Sequence, residues 1–132
     1  MSDVVAVLDS SAILALLFAE EGSAAVEAMV RRPGSAVSAV NLYEVLGKLA
    51  DHGCPAQVAQ ALSQLPITVV PFDASLAAKA AALRPRTRSL GLGLGDLACL
   101  ATALHMNAPA VTADRQWQKL LPDVNVVLIR ST

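Results

Sequence analysis

The chain has 132 residues, of which 55% are hydrophobic and only 16% charged, with a formal net charge of −1. That length suits one domain with a real core, spanning residues 1–132, and the composition excludes a disordered chain. The near-neutral charge excludes a broadly basic nucleic-acid-binding surface, so local clusters carry the electrostatics.

Residues 3–8, apolar after Asp3 and with three valines, show the pattern of a strand buried on both faces. Ser10 and Ser11 can cap a short helix running to Phe18, which Glu20-Glu21-Gly22 breaks. A second helical stretch, 23–32, ends at Pro33-Gly34, and 36–38 is a short strand. Helices follow at 41–52, stopped by Gly53, and at 55–64, where Pro55 stands at the start. Residues 67–70 read as a strand. Asp73 caps a helix to Leu83, which Pro85 ends. A loop over 84–95 carries three arginines and three glycines, and Asp96 opens a helix to Asn107. A strand at 110–112, a short helix at 114–121 and a strand at 124–129 complete the chain. Five strands alternating with helices predict an α/β fold, a three-layer sandwich around a parallel sheet of about five strands.

No apolar run reaches the ~18 residues needed to span a bilayer. The start Met1-Ser2-Asp3 has no basic stretch, so a cytoplasmic protein without membrane association is expected. Cys54 and Cys99 match no metal or redox spacing and read as reduced thiols, Cys99 in the core. His52 and His105 are isolated, which argues against zinc.

Four acids sit beside apolar segments. Asp9 follows Val4-Val5-Ala6-Val7-Leu8, and Glu44 lies inside Val40 to Leu46. Asp96 follows the Gly91-x-Gly93-x-Gly95 run, and Asp114 follows Ala110-Val111-Thr112-Ala113. Isolated buried carboxylates are costly or stay protonated, so a recurring set suggests a shared partner, most simply a divalent cation. Asp9 and Asp114 lie just past strand carboxyl ends, where open parallel sheets place their sites. Asp96, in the first turn of its helix, gains from the helix dipole.

Each acid also has a plainer reading. Asp9, Asp96 and Asp114 can be helix caps. Glu44 falls on a stripe with Asn41, Lys48 and Asp51, where a Glu44–Lys48 pair would make a solvated face. The glycine run lacks dinucleotide-binding spacing and reads as a hinge that swings Asp96 into place. Arg84, Arg86, Arg88 and Arg115 are candidate phosphate contacts by charge alone.

Leu8-Asp9-Ser10-Ser11-Ala12-Ile13-Leu14-Ala15, Ser38-Ala39-Val40-Asn41-Leu42-Tyr43-Glu44-Val45, Leu94-Gly95-Asp96-Leu97-Ala98 and Val111-Thr112-Ala113-Asp114-Arg115 together resemble the PIN domain, specifically VapC-like ribonuclease toxins of type II toxin–antitoxin pairs. The resemblance covers nearly the whole chain. It implies an acidic site of Asp9, Glu44, Asp96 and Asp114, with Mg²⁺ or Mn²⁺ held by Asp9, Asp96 and Asp114. Thr112 matches the hydroxyl beside the last acid, and Ser10 or Ser11 the polar residue after the first. Many relatives carry a further acid shortly after Asp114. Here Gln116 and Trp117 follow Arg115, which implies an incomplete second metal site. The implied activity is metal-dependent endoribonuclease cleavage, with an RNA substrate, a small antitoxin partner and a homodimer. The rival readings are a PIN-fold module that binds RNA or antitoxin without cleaving and a metal-dependent phosphatase. The latter would want a second Asp where Ser11 stands.

Overall fold

Five short segments rich in Val pair as strands in the computed structural model, which describes residues 3–119 and 123–130. They are β1 (Ala6–Leu8), β2 (Ser35–Ser38), β3 (Ile67–Val70), β4 (Ala110–Thr112) and β5 (Val126–Leu128). All neighbouring pairs are parallel, and the sheet order is β3-β2-β1-β4-β5. The central pair sits in register as Val7↔Ala110 and Leu8↔Val111.

The helices are α1 (Ser10–Leu17), α2 (Ser23–Arg31), α3 (Ala39–Asp51), α4 (Ala56–Ser63), α5 (Ala74–Ala82), α6 (Arg84–Thr87) and α7 (Leu94–Met106). Successive strand side chains point to opposite faces, so each central strand feeds two cores. Ala6, Leu8, Val37 and Val111 join Ile13 of α1, Val26 and Val30 of α2, Val45 of α3 and Leu62 of α4. Val7, Ala36 and Ala110 join Leu76 and Ala80 of α5, Leu97 and Leu100 of α7, and Trp117. This is the expected three-layer arrangement, with a five-stranded parallel sheet between helical layers. Among the described residues no helix is long and apolar enough to cross a membrane.

Several boundaries differ from the sequence expectation, each for a local reason. β1 begins at Ala6, and Val5 ahead of it is 58% exposed. Asp9, not Ser10 or Ser11, caps α1: its Oδ1 accepts from the Ala12 amide at 2.8 Å. The two serines fall inside the first turn, which leaves their hydroxyls available elsewhere. The 84–95 stretch is not a loop throughout. Pro85 sits at the start of α6, where its missing N–H costs nothing, and a 3-10 turn (Arg88–Leu90) follows. α7 starts at Leu94, two residues before Asp96. The helix expected at 114–121 is a 3-10 turn (Arg115–Lys119), and the end of that expectation lies outside the described residues. Cys99 is buried, its Sγ 3.9 Å from the Val7 carbonyl, and burial pushes its thiol pKa up, so it stays protonated.

Candidate functional site

The sheet order reverses direction at β1, whose neighbours β2 and β4 are reached by connections leading to opposite sides. Beyond the carboxyl ends of such strands an open α/β sheet leaves a crevice. A cavity of about 480 Å³ lies in this region, lined by Asp9, Glu44, Asp96 and Asp114 together with Ser10, Ser11 and Asn41. Four chain segments thus bring the four acids to one place.

Asp9 is the most deeply buried of them, 5% exposed. Its carboxylate is held at both oxygens. Oδ1 accepts from the Ala12 amide and from Ser11 Oγ at 2.7 Å, and Oδ2 accepts from Thr112 Oγ1 at 2.6 Å. A carboxylate has about four acceptor positions, so about one is left without a hydrogen bond among the described residues. Asp9 is therefore both the cap of α1 and a cavity residue; the two readings do not compete. Burial lifts its pKa from 3.8 to about 6. The hydrogen bonds from Thr112, Ala12 and Ser11 oppose that rise, and the Asp96 charge adds to it.

Ser11 and Thr112 tie the first acid to the last. Ser11 Oγ, while donating to Asp9, accepts from the Ala113 amide at 2.9 Å. Thr112 Oγ1 donates to Asp9 and accepts from the Asp114 amide at 3.0 Å. These hydroxyls sit at adjacent strand ends because β1 and β4 are neighbours. Asp114 accepts the Gln116 amide at 2.9 Å and so also begins the 3-10 turn.

Asp96 is the third residue of α7 and reaches back to the Gly93 amide at 3.0 Å. Its pKa is raised by burial, against the Gly93 bond, and further by the charges of Glu44 and Asp114. The glycine run acts differently from a single hinge. Gly91 does take the left-handed conformation, at φ +63. Gly95 has ordinary helical geometry, and a Cβ there would overlap the Glu44 carboxylate. Its missing side chain makes room for Glu44.

Glu44 departs most from its expected surface role. It is half-buried, accepts from Ser10 Oγ, and accepts from Asn41 Nδ2 at 3.1 Å, both at Oε1. The ion pairs among the described residues do not include Glu44–Lys48; they are Arg31–Glu27, Arg86–Asp123 and Arg130–Glu20. The stripe Asn41, Glu44, Lys48 and Asp51 lines the cavity. Asn41, expected on a solvated face, is 1% exposed. The available signal was an uncharged amide three residues before Glu44, inside an apolar run.

The arginines stand apart from the acids. Arg84, Arg86, Arg88 and Arg115 are all exposed, and none lines the acidic cavity. Arg86 pairs with Asp123 at 2.8 Å. Arg84 borders a separate apolar cavity beside Phe72 and Leu94.

The donor set suits a hard divalent cation: oxygen only, mostly carboxylate, with charges that no protein cation pairs among the described residues. Among those residues, no three His, Cys, Asp or Glu side chains are grouped tightly enough to hold one ion together. Mg²⁺ does not require three, since it usually takes one or two carboxylates and keeps several waters.

A profile of the PIN domain family matches residues 6–120. No match was found among curated proteins. Among solved structures, a toxin–antitoxin complex from Klebsiella pneumoniae superposes with TM-score 0.76 at 23% identity, covering 96% of this chain and 99% of that one. VapBC2 from Rickettsia felis, bound to a DNA fragment from its promoter, gives 0.75 at 17% identity, covering 94% and 98%. VapBC-1 from nontypeable Haemophilus influenzae gives 0.73 at 16% identity, covering 96% and 98%. At these identities the likeness carries the fold.

Proposed function

The chain belongs to the PIN domain family, and on that premise we propose that it is a metal-dependent endoribonuclease, the VapC-like toxin of a toxin–antitoxin pair acting in the cytoplasm. The observation that carries this reading is the meeting of Asp9, Glu44, Asp96 and Asp114 in one cavity at the strand ends, without protein cations paired to them. Bound Mg²⁺ or Mn²⁺ would neutralise these charges and supply Lewis acidity for phosphodiester hydrolysis.

Asp9 and Asp96, with Asp114, would hold the cation directly or through water. Ser11 and Thr112 fix the Asp9 carboxylate at the cavity wall. Glu44 is held through Oε1, while Oε2 has no hydrogen bond among the described residues. Its role in this reading would be to orient an attacking water through Oε2 and accept its proton. Arg84, Arg86, Arg88 and Arg115 lie outside the cavity, which suits contacts to phosphates flanking the scissile one. A small antitoxin is the proposed protein partner, since the fold neighbours include toxin–antitoxin complexes, and a homodimer is the proposed assembly.

The test is cleavage of structured RNAs by purified protein with Mg²⁺, with Mn²⁺ and with chelator. Cleavage that requires the cation is expected, and equal cleavage in chelator contradicts the reading. A second reading, a PIN-fold module that binds RNA or antitoxin without cleaving, is favoured by the absence, among the described residues, of three such side chains grouped to hold one ion. It predicts binding in the same samples with no product in any of them.

Gly95→Ala probes the cradle of Glu44. The added methyl would displace that carboxylate, and Mn²⁺ affinity and cleavage are each expected to fall about tenfold. The helix should persist, because Ala favours helix over Gly. Wild-type Mn²⁺ affinity in the variant would mean that Glu44 can move aside without consequence.

A further inference from the structure

Asn41 has no assigned part in the chemistry above, yet it is almost fully buried among the groups that perform it. Its Nδ2 lies 3.1 Å from Glu44 Oε1, 3.1 Å from Ser10 Oγ and 3.0 Å from the Gly95 carbonyl. A carboxylate and a carbonyl only accept, so the amide nitrogen must face them. Ser10 Oγ accepts from Asn41 and in turn donates to Glu44, so Asn41, Ser10 and Glu44 close a ring of hydrogen bonds.

This orientation leaves Asn41 Oδ1 buried without a hydrogen-bond partner among the described residues. Folded proteins generally avoid such atoms, and packing alone would favour an apolar side chain here. The unmet acceptor is explained if both N–H groups are needed where they point. One end of that amide is on α3 and its acceptor Gly95 is in the first turn of α7, next to Asp96.

We propose that Asn41 is a positioning residue. Its amide locks the Glu44 carboxylate over Gly95, ties α3 to the start of α7, and so sets where Glu44 stands relative to Asp96. Its purpose rests on the cation-dependent reading above; its geometry does not. Asn41 would act on the reaction only through Glu44.

The experiment uses Asn41→Leu and Asn41→Ala, which remove the same donors but differ in volume, each alone and with Glu44→Gln. Mn²⁺ alone is titrated by electron paramagnetic resonance, and crystal structures locate Glu44. Both variants are expected to release Glu44 from its place beside Ser10 and to weaken Mn²⁺ binding about tenfold, alike despite their volumes. In the Glu44→Gln background neither should cost anything further. An unmoved Glu44, losses that track side-chain volume, or additive losses with Glu44→Gln would overturn the proposal. Failure of both variants to fold would make Asn41 a folding residue and overturn it too. A wild type with no Mn²⁺ affinity would instead overturn the cation-dependent reading, and the position of Glu44 in the variants alone would then decide the role of Asn41.

Discussion

Asp96→Asn is expected to lower cation-dependent RNA cleavage at least ~100-fold while raising the melting temperature of the metal-free protein. The first effect exceeds the 10–100-fold typical of losing a ligand's supporting partner, because a proposed ligand itself is removed. The second follows from the state of the carboxyl group. Burial and the charges of Glu44 and Asp114 raise the Asp96 pKa, so the fold disfavours its ionised form. Asn keeps the shape and an oxygen for the Gly93 amide at 3.0 Å, and it removes the repulsion. Some helix-dipole stabilisation is lost, roughly 0.3–1 kcal/mol at an exposed terminus, and relief of desolvation and repulsion outweighs it. Opposite changes in activity and stability mark a site whose charges serve function at the expense of the fold. Cleavage rates with and without chelator, and thermal melts without metal, check both. Near-wild-type cleavage by the variant would remove Asp96 from the site.

Metal-free protein should lose stability as pH rises from about 4 to about 6, the reverse of the usual carboxylate behaviour. Asp9 has its pKa raised from 3.8 to about 6 in the fold. Between those values the native state keeps a proton that the unfolded chain has released. Stability therefore falls with rising pH across the window, by up to about 3 kcal/mol for this one group. The contribution is fully present below pH 3.8 and fully lost above about 6. Asp96 acts in the same direction. A saturating divalent cation held at the proposed site would bind the ionised carboxylates, restoring stability above pH 6 and binding weakly below it. Thermal melts at pH 4.5, 6 and 7.5, with and without Mg²⁺, test this. Asp9→Asn should flatten the metal-free curve. A metal-free stability that climbs through this range in the wild type, or a slope unchanged in Asp9→Asn, would show that Asp9 is ionised at low cost.

Much of the fold was legible because its signals are local. The strand at Ile67–Val70 and the Asp73 cap of α5 need only a β-branched run and an Asp ahead of alanines. Asp9, Asp96 and Asp114 stood out because each interrupts or follows apolar sequence. The misread positions depend on distant neighbours. Ser10 and Ser11 carry the local pattern of caps because capping is read from adjacent residues, whereas Ser10 bonds Glu44, 34 positions away, and Ser11 bonds Ala113, 102 positions away, as well as Asp9. Asn41 and Glu44 looked solvated because helical spacing to Lys48 says which residues share a stripe, not what that stripe faces.

The chain by itself determined the alternation of strands and helices, the two-faced burial of the central strands, and the identity of the acids. Periodicity, capping and apolar context are properties of neighbours in sequence, so they survive without coordinates. Tertiary structure decided the rest. Only strand order makes β1 and β4 adjacent and joins Asp9 to Thr112 across 103 positions. Only the packing of α3 against α7 gives Gly95 its purpose and turns Glu44 inward. The raised pKa of Asp9 likewise comes from burial and from a charge far along the chain.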